Sequence, residues 1–248
     1  MFTGKVALIT GASRGIGAAT ASLLAKRGAT VIVNYINNVE AAQGVVDGIS
    51  REGGKAIAIR ADVRSPEQVD KMVQQIVEQY DRLDILISNA NIDFIRSSFE
   101  DIDWEKLSGK VNEELSAAFN ITKAVFPIMK KQQGGRIVYI STSRTINPIP
   151  NYIAHGTAKA ALNTFARYVA FEVAQYGIIA NLFVPGVVKT DATANNPQWL
   201  MDKLKAATPI GRIAEPEDIA PQIAFLASDD CRFMVGATIN ANGGAEMY

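Results

Sequence analysis

Seven short apolar runs rich in β-branched residues recur along the chain, and longer amphipathic segments separate them. Most runs are apolar at successive positions, which is typical of parallel strands that are covered on both faces. Strand and helix alternating at this spacing predict an α/β fold, a doubly wound parallel sheet with helices on both faces. We expect residues 1–248 to form a single domain. The runs are 5–10, 30–35, 55–61, 83–89, 135–141, 178–186 and 237–244.

Helical patterns fill most of the intervals. Ser65 followed by Pro66 is a helix start signal, and the long periodic segments 113–133 and 152–176 predict two long helices. The segment 190–211 contains no strand pattern, and its Asn-Asn-Pro at 195–197 predicts a mobile loop. A long insertion beside a sheet often serves as a substrate lid, so we expect a substrate loop there.

Composition excludes several classes of protein. Lys+Arg and Asp+Glu both number 25, so the chain lacks the basic field of a general nucleic-acid binder. The start lacks a signal-peptide pattern, and no apolar stretch is long enough to cross a membrane. We therefore expect a soluble, cytoplasmic protein. The single Cys231 cannot form an internal disulfide and is expected to pack in the core, while a lone histidine argues against zinc.

A glycine-rich stretch, TGASRGIGAAT at 10–20, follows the first strand directly and opens a helix. Its glycines permit a tight turn and close backbone approach, and the helix start offers unpaired N–H groups to a pyrophosphate. In this position the stretch predicts a dinucleotide site. The residues assigned to it are Gly11, Ser13, Arg14, Gly15, Ile16 and Gly17.

The end of the second strand bears on the choice between NAD and NADP. An acidic residue there would bind the ribose diol of NAD, but residues 34–38 include no carboxylate. A 2′-phosphate would not be repelled at this place, and Arg14 could pair with it. We therefore expect NADPH as the cofactor, with Asn34 among its contacts.

The stretch IPNYIAHGTAKAAL at 149–162 carries the only histidine of the chain. Asn151 is expected to cap a helix on which Tyr152, His155 and Lys159 share one face, so spacing alone does not choose between the tyrosine and the histidine. A tyrosine hydroxyl has an ordinary pKa of about 10, which a nearby ammonium lowers. A neutral imidazole beside a lysine donates hydrogen bonds but is a poor proton donor to an alkoxide.

Several short motifs occur in one order along nearly the whole chain: TGASRGIG at 10–17, ADV at 61–63, SNA at 88–90, VPGVVKTDA at 184–192 and the terminal GGAEMY. In this respect the chain resembles the short-chain dehydrogenase/reductase superfamily, in the branch of 3-oxoacyl- and enoyl-[acyl-carrier-protein] reductases. The resemblance implies a Rossmann-like fold. It also implies further cofactor contacts from Asp62, Val63, Asn89, Ala90, Ile140, Lys159, Pro185, Gly186, Val188 and Thr190. The usual glycine after the SNA motif is Asn91 here.

The chain departs from that family at three positions. The tyrosine expected four residues before the lysine is His155, and the chain fits the Tyr-x6-Lys spacing of enoyl reductases instead. The active-site serine aligns with Thr142, although Ser141 or Ser143 could replace it. The relay asparagine aligns without gaps with Glu114 and, after a two-residue shift, with Asn112.

These observations favour an NADPH-dependent reductase of a 2-enoyl thioester carried by acyl carrier protein or coenzyme A, as in fatty acid biosynthesis. Tyr152 would bind the enolate oxygen and Lys159 would orient the cofactor ribose. One alternative is a 3-oxoacyl or other carbonyl reductase that uses His155, and another is a non-catalytic dinucleotide-binding protein. The resemblance also implies a homotetramer assembled through the two long helices. From the neutral charge and the lack of a long apolar stretch, we expect neither nucleic-acid nor membrane partners.

Apolar side chains near the expected substrate side complete the hypothesis. The segment 93–107 is a possible flap, and an acyl channel could be lined by Phe94, Ile95, Trp199, Leu200 and Met201.

Overall fold

The fold is built on one seven-stranded sheet, seen in a computed structural model that describes residues 1–194 and 196–247. Every paired strand runs parallel to its neighbours, in the order β3-β2-β1-β4-β5-β6-β7. Each strand lies within the run predicted for it, which confirms the expected α/β, Rossmann-like fold. The strands are β1 Val6–Ile9, β2 Thr30–Tyr35, β3 Lys55–Arg60, β4 Ile85–Ser88, β5 Gly135–Ile140, β6 Ile178–Pro185 and β7 Thr238–Ala241.

The strand order reverses between β1 and β4, which are neighbours in the sheet although β2 and β3 separate them in the chain. Connections from these two strands leave in opposite directions, so a crevice opens at their carboxyl ends. The segments that follow β1, β4, β5 and β6 all emerge at this same edge, and they carry most of the residues that the sequence assigns to the site.

Helices cover both faces of the sheet. One core layer packs residues of α3, α4 and α5 against the sheet, and the other packs residues of α1, α2 and α8. Burial on both faces explains why the strands are apolar at successive positions. The helices are α1 Gly15–Lys26, α2 Val39–Arg51, α3 Pro66–Tyr80, α4 Trp104–Gln132, α5 Ile153–Val173, α6 Asp191–Ala194, α7 Gln198–Ala206 and α8 Pro216–Leu226.

Helix starts follow the expected signals in one case and depart from them in two. The Ser65 side chain accepts the N–H of Gln68 and caps α3 as predicted. The helix α4 begins at Trp104 rather than near residue 113, because the Asp103 side chain caps it by accepting the N–H of Lys106. The expected flap is therefore irregular only as far as residue 103.

The prediction that Asn151 caps α5 is wrong. The N-cap is Tyr152, whose side chain makes no capping hydrogen bond, and Asn151 precedes it with a positive φ of 66°. Asparagine is one of the few residues that adopts this left-handed conformation readily, which explains its place in the turn.

Two helices occupy the segment 190–211, where the sequence analysis expects an irregular loop. They are α6 and α7, and the Asn195 of the Asn-Asn-Pro signal lies outside the described residues. A four-residue helix gives too short a periodic pattern to detect in sequence. The role of this segment beside the substrate, like the assignment of residues 1–248 to one domain, stays a prediction.

No helix among the described residues has the length and apolar character needed to cross a membrane. Cys231 is buried, in agreement with its expected packing role.

Candidate active site

The turn between β1 and α1 presents a free helix start to the crevice. Arg14 is the N-cap of α1, its side chain makes no capping hydrogen bond, and the first turn contains no acidic residue. The first N–H groups of an α-helix have no partner within the helix, and the helix dipole favours an anion beside them. This helix start therefore suits the pyrophosphate of a dinucleotide.

Close backbone packing explains the glycines of this turn. A Cβ on Gly11 would lie 2.9 Å from Cα of Ala90, and a Cβ on Gly17 would lie 2.7 Å from both Nδ2 of Asn89 and the carbonyl oxygen of Gly11. The Thr10 hydroxyl accepts the N–H groups of Asn89 and Ala90, each at 2.9 Å. These contacts fix the predicted residues after β1 to those after β4. Asn91, which stands where the family has a glycine, is exposed and does not have a positive φ.

The side chain of Asn34, predicted to contact the cofactor, is used by the protein itself. Its Oδ1 accepts the N–H of Gly11 at 3.3 Å, and its Nδ2 donates to the carbonyl of Ala61 at 3.0 Å. Asn34 is buried, so it ties the ends of the central strands together. A cofactor contact from this amide stays a prediction, and it would have to share these bonds.

Asp62 and Val63 follow β3, beside the predicted adenine position. The Asp62 carboxylate receives hydrogen bonds from the Arg64 guanidinium, and these bonds hold the pKa of the Asp62 carboxyl below its ordinary value. The side chain of Asn120, on α4, donates to the Val63 carbonyl at 3.2 Å and so fixes the segment.

Cations are present where a 2′-phosphate is expected. Arg14 is exposed and pairs loosely with Asp191 of α6 at 3.3 Å. Arg60, at the end of β3, donates from Nε to the carbonyl of Ile36 at 3.0 Å, just beyond the end of β2. Arg60 was not among the predicted site residues, and the sequence signal for it is a cation at the end of the strand that pairs with β2.

The residues assigned to the nicotinamide gather at the ends of β5 and β6. Gly186 packs so closely that a Cβ would lie 2.7 Å from Cα of Asn242, while a Cβ on Gly15 would lie 3.1 Å from Cγ2 of Thr190. Thr190 therefore reaches the dinucleotide turn. Pro185 is half-buried, and Val188 is buried beside an isolated β-bridge to Ala214.

Lys159 is buried in α5 and faces the end of β5. Its Nζ donates to the carbonyl of Ile140 at 2.8 Å and lies 2.8 Å from Oε1 of Glu114 on α4. Oε2 of Glu114 accepts from Nζ of Lys110 at 2.5 Å. Asn112 is exposed, so the structure brings Glu114 and not Asn112 to the lysine. Lys110, four residues before Glu114 on the same helix, was not among the predicted site residues.

Tyr152 lies at the start of α5, against the segment that follows β4. Its ring centroid is 5.2 Å from that of Phe94, and the guanidinium carbon of Arg96 is 5.1 Å from the Tyr152 ring centroid. An isolated β-bridge joins Ser97 to Tyr152. The segment after β4 therefore covers the tyrosine, which is half-buried.

His155 lies one turn before Lys159 and stacks on Phe94, with ring centroids 4.6 Å apart and planes 22° from parallel. Burial, together with the nearby charges of Lys159 and Lys110, lowers the pKa of His155 to about 4. The imidazole is therefore neutral near pH 7. Among the described residues, its buried Nδ1 has no hydrogen-bond partner.

The hydroxyl groups after β5 are not equivalent. Ser141 donates to Oδ1 of Asn163 at 2.5 Å and is buried, and Ser143 is buried as well. Thr142 is half-buried, and its hydroxyl oxygen accepts the N–H of Arg144 at 3.3 Å, which leaves its proton available. This arrangement favours Thr142 as the hydroxyl that meets a substrate oxygen.

The predicted acyl-channel residues differ in exposure. Phe94 covers Tyr152 and His155, as described above, and Leu200 and Met201 are half-buried. Ile95 and Trp199 are exposed, so a channel that included them would need to close around a bound chain. The part of the chain that the structure describes holds no group of acidic, histidine or cysteine side chains suited to a metal ion.

Comparisons with known proteins identify the family. A family model described as enoyl-(acyl carrier protein) reductase matches residues 11–246. A 3-oxoacyl-[acyl-carrier-protein] reductase of Synechocystis is 37% identical over 252 residues, which covers 99% of this chain and 98% of the relative. A versicolorin reductase of Emericella nidulans is 35% identical, covering 98% of this chain and 96% of the relative.

Two further matches agree. A hydroxynaphthalene reductase-like protein of Metarhizium robertsii is 37% identical, covering 98% of this chain and 95% of the relative. A solved structure of a double mutant of a Serratia marcescens short-chain dehydrogenase/reductase superposes with a TM-score of 0.90 at 29% identity, covering 98% of both chains.

The parallel sheet, the glycine turn and the buried lysine define a dinucleotide-dependent oxidoreductase. The chain belongs to the short-chain dehydrogenase/reductase superfamily and is an enzyme. This finding speaks against the non-catalytic alternative. It does not specifically support enoyl reduction, and the similarity to a 3-oxoacyl reductase agrees better with the carbonyl alternative.

Proposed function

We propose that the protein is an NADPH-dependent carbonyl reductase whose substrate is a 3-oxoacyl thioester of acyl carrier protein or coenzyme A. The observation that carries the proposal is the environment of His155. This residue occupies the family's tyrosine position one turn from Lys159, and its buried Nδ1 lacks a hydrogen-bond partner among the described residues. Whole-length similarity to a 3-oxoacyl-[acyl-carrier-protein] reductase supports the same substrate class.

Ketone reduction needs a proton at the oxygen that becomes negative when bound NADPH supplies a hydride. A neutral imidazole gives up its N–H proton readily only if its second nitrogen gains one. The Nδ1 of His155 would meet this requirement, because it has no hydrogen-bond partner among the described residues and a proton taken up there, in the end from solvent, would let the ring pass one on. The Thr142 hydroxyl would hold the same oxygen.

The preference for NADPH rests on charge at the ribose end of the crevice. No carboxylate lies at residues 34–38. Arg14 follows the end of β1, and Arg60 is the last residue of β3. A guanidinium binds a phosphate through paired, charge-assisted hydrogen bonds. The glycine turn and the uncapped start of α1 would hold the pyrophosphate, and Lys159 would hold the nicotinamide ribose.

Reduction of a 2-enoyl thioester is the second candidate, and Tyr152 is the observation that favours it. Its position seven residues before Lys159 matches the enoyl reductase spacing, and Phe94 packs against its ring. In this reaction the phenol would donate a hydrogen bond to the enolate oxygen. The description of the matched family model points in the same direction.

Substrate and variant comparisons separate the two candidates. The oxidation of NADPH is followed with an acetoacetyl and a crotonyl thioester, for the wild type and for the variants Tyr152→Phe and His155→Phe. The proposal expects faster turnover of the acetoacetyl thioester and a kcat loss of about 100-fold in His155→Phe, the scale of one general acid. Preference for the crotonyl thioester, lost in Tyr152→Phe, would establish the enoyl reductase instead.

We also propose that the protein assembles as a homotetramer through α4 and α5. These helices leave large aromatic side chains exposed on a single chain, namely Phe119, Tyr168 and Phe171. Exposed aromatic groups of this size are typical of surfaces that a partner covers. The expected cytoplasmic location stays a prediction.

A further inference from the structure

Three charged side chains meet in the interior between α4 and α5. Lys110, Glu114 and Lys159 are only 5%, 4% and 6% exposed. Moving a charge from water into a protein interior is costly unless it is paired and hydrogen-bonded. Such a cluster therefore persists only if its members compensate one another.

The contacts of the cluster are nearly symmetric about Glu114. Each carboxylate oxygen takes one lysine, Oε1 with Nζ of Lys159 at 2.8 Å and Oε2 with Nζ of Lys110 at 2.5 Å. Each ammonium also donates to one backbone carbonyl, that of Ile140 for Lys159 and that of Ile92 for Lys110, at 2.8 and 2.6 Å. The cluster thus ties the chain segments at the ends of β4 and β5 to both helices.

The positive charges of the two lysines keep the shared carboxylate of Glu114 ionised. Burial by itself raises the pKa of the Glu114 carboxyl, but Lys159 and Lys110 together outweigh burial and hold this pKa below its ordinary value. Counting formal charges, one carboxylate and two ammonium groups give the cluster one net positive charge. Glu113, on the same helix, also acts on Lys110, and the charges of the cluster in turn act on His155, on α5.

We propose that Glu114 is a positioning residue that holds the ammonium of Lys159 toward the cofactor. Lys110 offsets the negative charge of Glu114, so that the cluster beside the cofactor carries one net positive charge. The proposal rests on the proposed function for the place of the cofactor and substrate. It deepens that function by assigning roles to a carboxylate and a second lysine that no motif of the dinucleotide site includes.

Charge counting gives the proposal a distinctive test. The variant Glu114→Gln leaves two ammonium groups facing each other, with a net charge of two. The variant Lys110→Met leaves one neutral ion pair. The double variant Lys110→Met/Glu114→Gln restores a single net positive charge on Lys159. A merely structural role predicts that the double variant is at least as damaged as either single one, whereas the proposal predicts rescue.

The first measurement is NADPH affinity by nucleotide fluorescence from about pH 6 to about pH 9, a range in which an ordinary lysine stays protonated. Wild-type affinity should change little with pH. In Glu114→Gln the NADPH affinity should weaken about tenfold toward alkaline pH, because one of the two ammonium groups that then face each other loses its proton. A tenfold change in affinity corresponds to a shift of about one pKa unit. The double variant should return to within about threefold of the wild type, as expected for coupled neighbours.

The second measurement is the pH profile of kcat/KM with the better thioester substrate. The alkaline limb should move to lower pH in Glu114→Gln and return in the double variant. The control is Glu172→Gln, which removes an exposed carboxylate from α5, and circular dichroism checks that every variant is folded. Wild-type behaviour of Glu114→Gln, or a double variant no better than it, would overturn the proposal.

The two proposals fail in different ways. If neither thioester is reduced, the proposed function is lost, but the binding measurement still tests the cluster because it needs only NADPH. If Glu114→Gln does not fold, Lys110→Met supplies the test. It should keep Lys159 paired and bind NADPH with unchanged pH dependence, and an alkaline loss of affinity in this variant would contradict the assigned role.

Discussion

The ring of Phe94 lies almost parallel to the imidazole of His155, with centroids 4.6 Å apart. Phe94 belongs to the irregular segment after β4, whereas His155 belongs to the first turns of α5. The contact therefore joins the segment after β4 to the helix that carries Lys159. Because the phenyl ring excludes water from one face of the imidazole, it contributes to the burial that keeps His155 neutral.

The titration of His155 tests this environment directly. As the only histidine of the chain, it gives a single pair of imidazole NMR signals in protein freed of any affinity tag. We expect no titration near the ordinary pKa of 6.5 and a midpoint near the value of about 4 that burial and the two lysines impose. In Phe94→Ala the midpoint should rise, because water reaches the ring. An unchanged midpoint would show that Phe94 does not control it.

The stability of the fold should depend on pH through the same residue. The pKa of His155 is about 4 in the folded protein and about 6.5 in the unfolded chain, so the unfolded chain binds more protons between these values. The free energy of unfolding therefore keeps its full value, as far as His155 is concerned, above about pH 6.5, and it decreases as the pH falls toward about 4. Partial exposure limits the loss to about 2 kcal/mol.

Denaturant unfolding of wild type and His155→Phe at several pH values measures this effect. The free energy of unfolding should fall less steeply in the variant below about pH 6.5, the ordinary pKa of histidine. Comparing slopes removes the contribution of the carboxylates, which titrate in both proteins. Equal slopes would mean that His155 is as solvated in the folded state as in the unfolded chain.

The sheet was predictable from sequence because its strands are buried on both faces and therefore read as short continuous apolar runs. The glycine turn was predictable because only glycine tolerates the backbone contacts that Gly11 and Gly17 make. The exact residues at which helices begin were harder to predict from the sequence. The start of α4 depended on Asp103, and the turn before α5 depended on the left-handed conformation of Asn151.

The site was harder to predict where it depends on contacts between distant segments. The spacing of Lys110 and Glu114 indicates an i, i+4 pair, which on most helices is an exposed surface pair. Only the packing of α4 against α5 buries this pair and brings Lys159 to it. In the same way, nothing local to Asn34 indicates that its amide binds the backbone at the ends of the two strands beside β2, namely β1 and β3.

The glycine at position 17 offers a prediction with a matched control. In Gly17→Ala the new methyl group would meet Asn89 and the carbonyl of Gly11, so we expect a stability loss of about 1–3 kcal/mol and weaker NADPH binding. A Cβ on Gly44, within α2, would have no contact within 4 Å among the described residues. Gly44→Ala should stabilise the protein by about 0.5–1 kcal/mol without changing cofactor affinity. Thermal unfolding and nucleotide fluorescence measure both variants.

The oligomeric state can be tested at the exposed face of α5. Phe171 is 83% exposed in the single chain, so a charge there costs little in a monomer but much in a covered interface. We expect Phe171→Glu to reduce the mass measured by light scattering, and Trp199→Glu, on α7, to leave it unchanged. An unaltered mass in the first variant would place the interface elsewhere or show that the protein is a monomer.

The proposed preference for NADPH rests on two cations that different elements contribute near the expected position of the ribose. Arg14 is the N-cap of α1 and Arg60 ends β3. If both meet a 2′-phosphate, Arg14→Ala and Arg60→Ala should each weaken NADPH binding about tenfold, the scale of one charge-assisted contact, and leave NADH binding nearly unchanged. Asp191→Asn should strengthen NADPH binding slightly, because it frees Arg14 from an exposed ion pair of small energy. Equal losses for both nucleotides would mean that these residues contact a group the cofactors share.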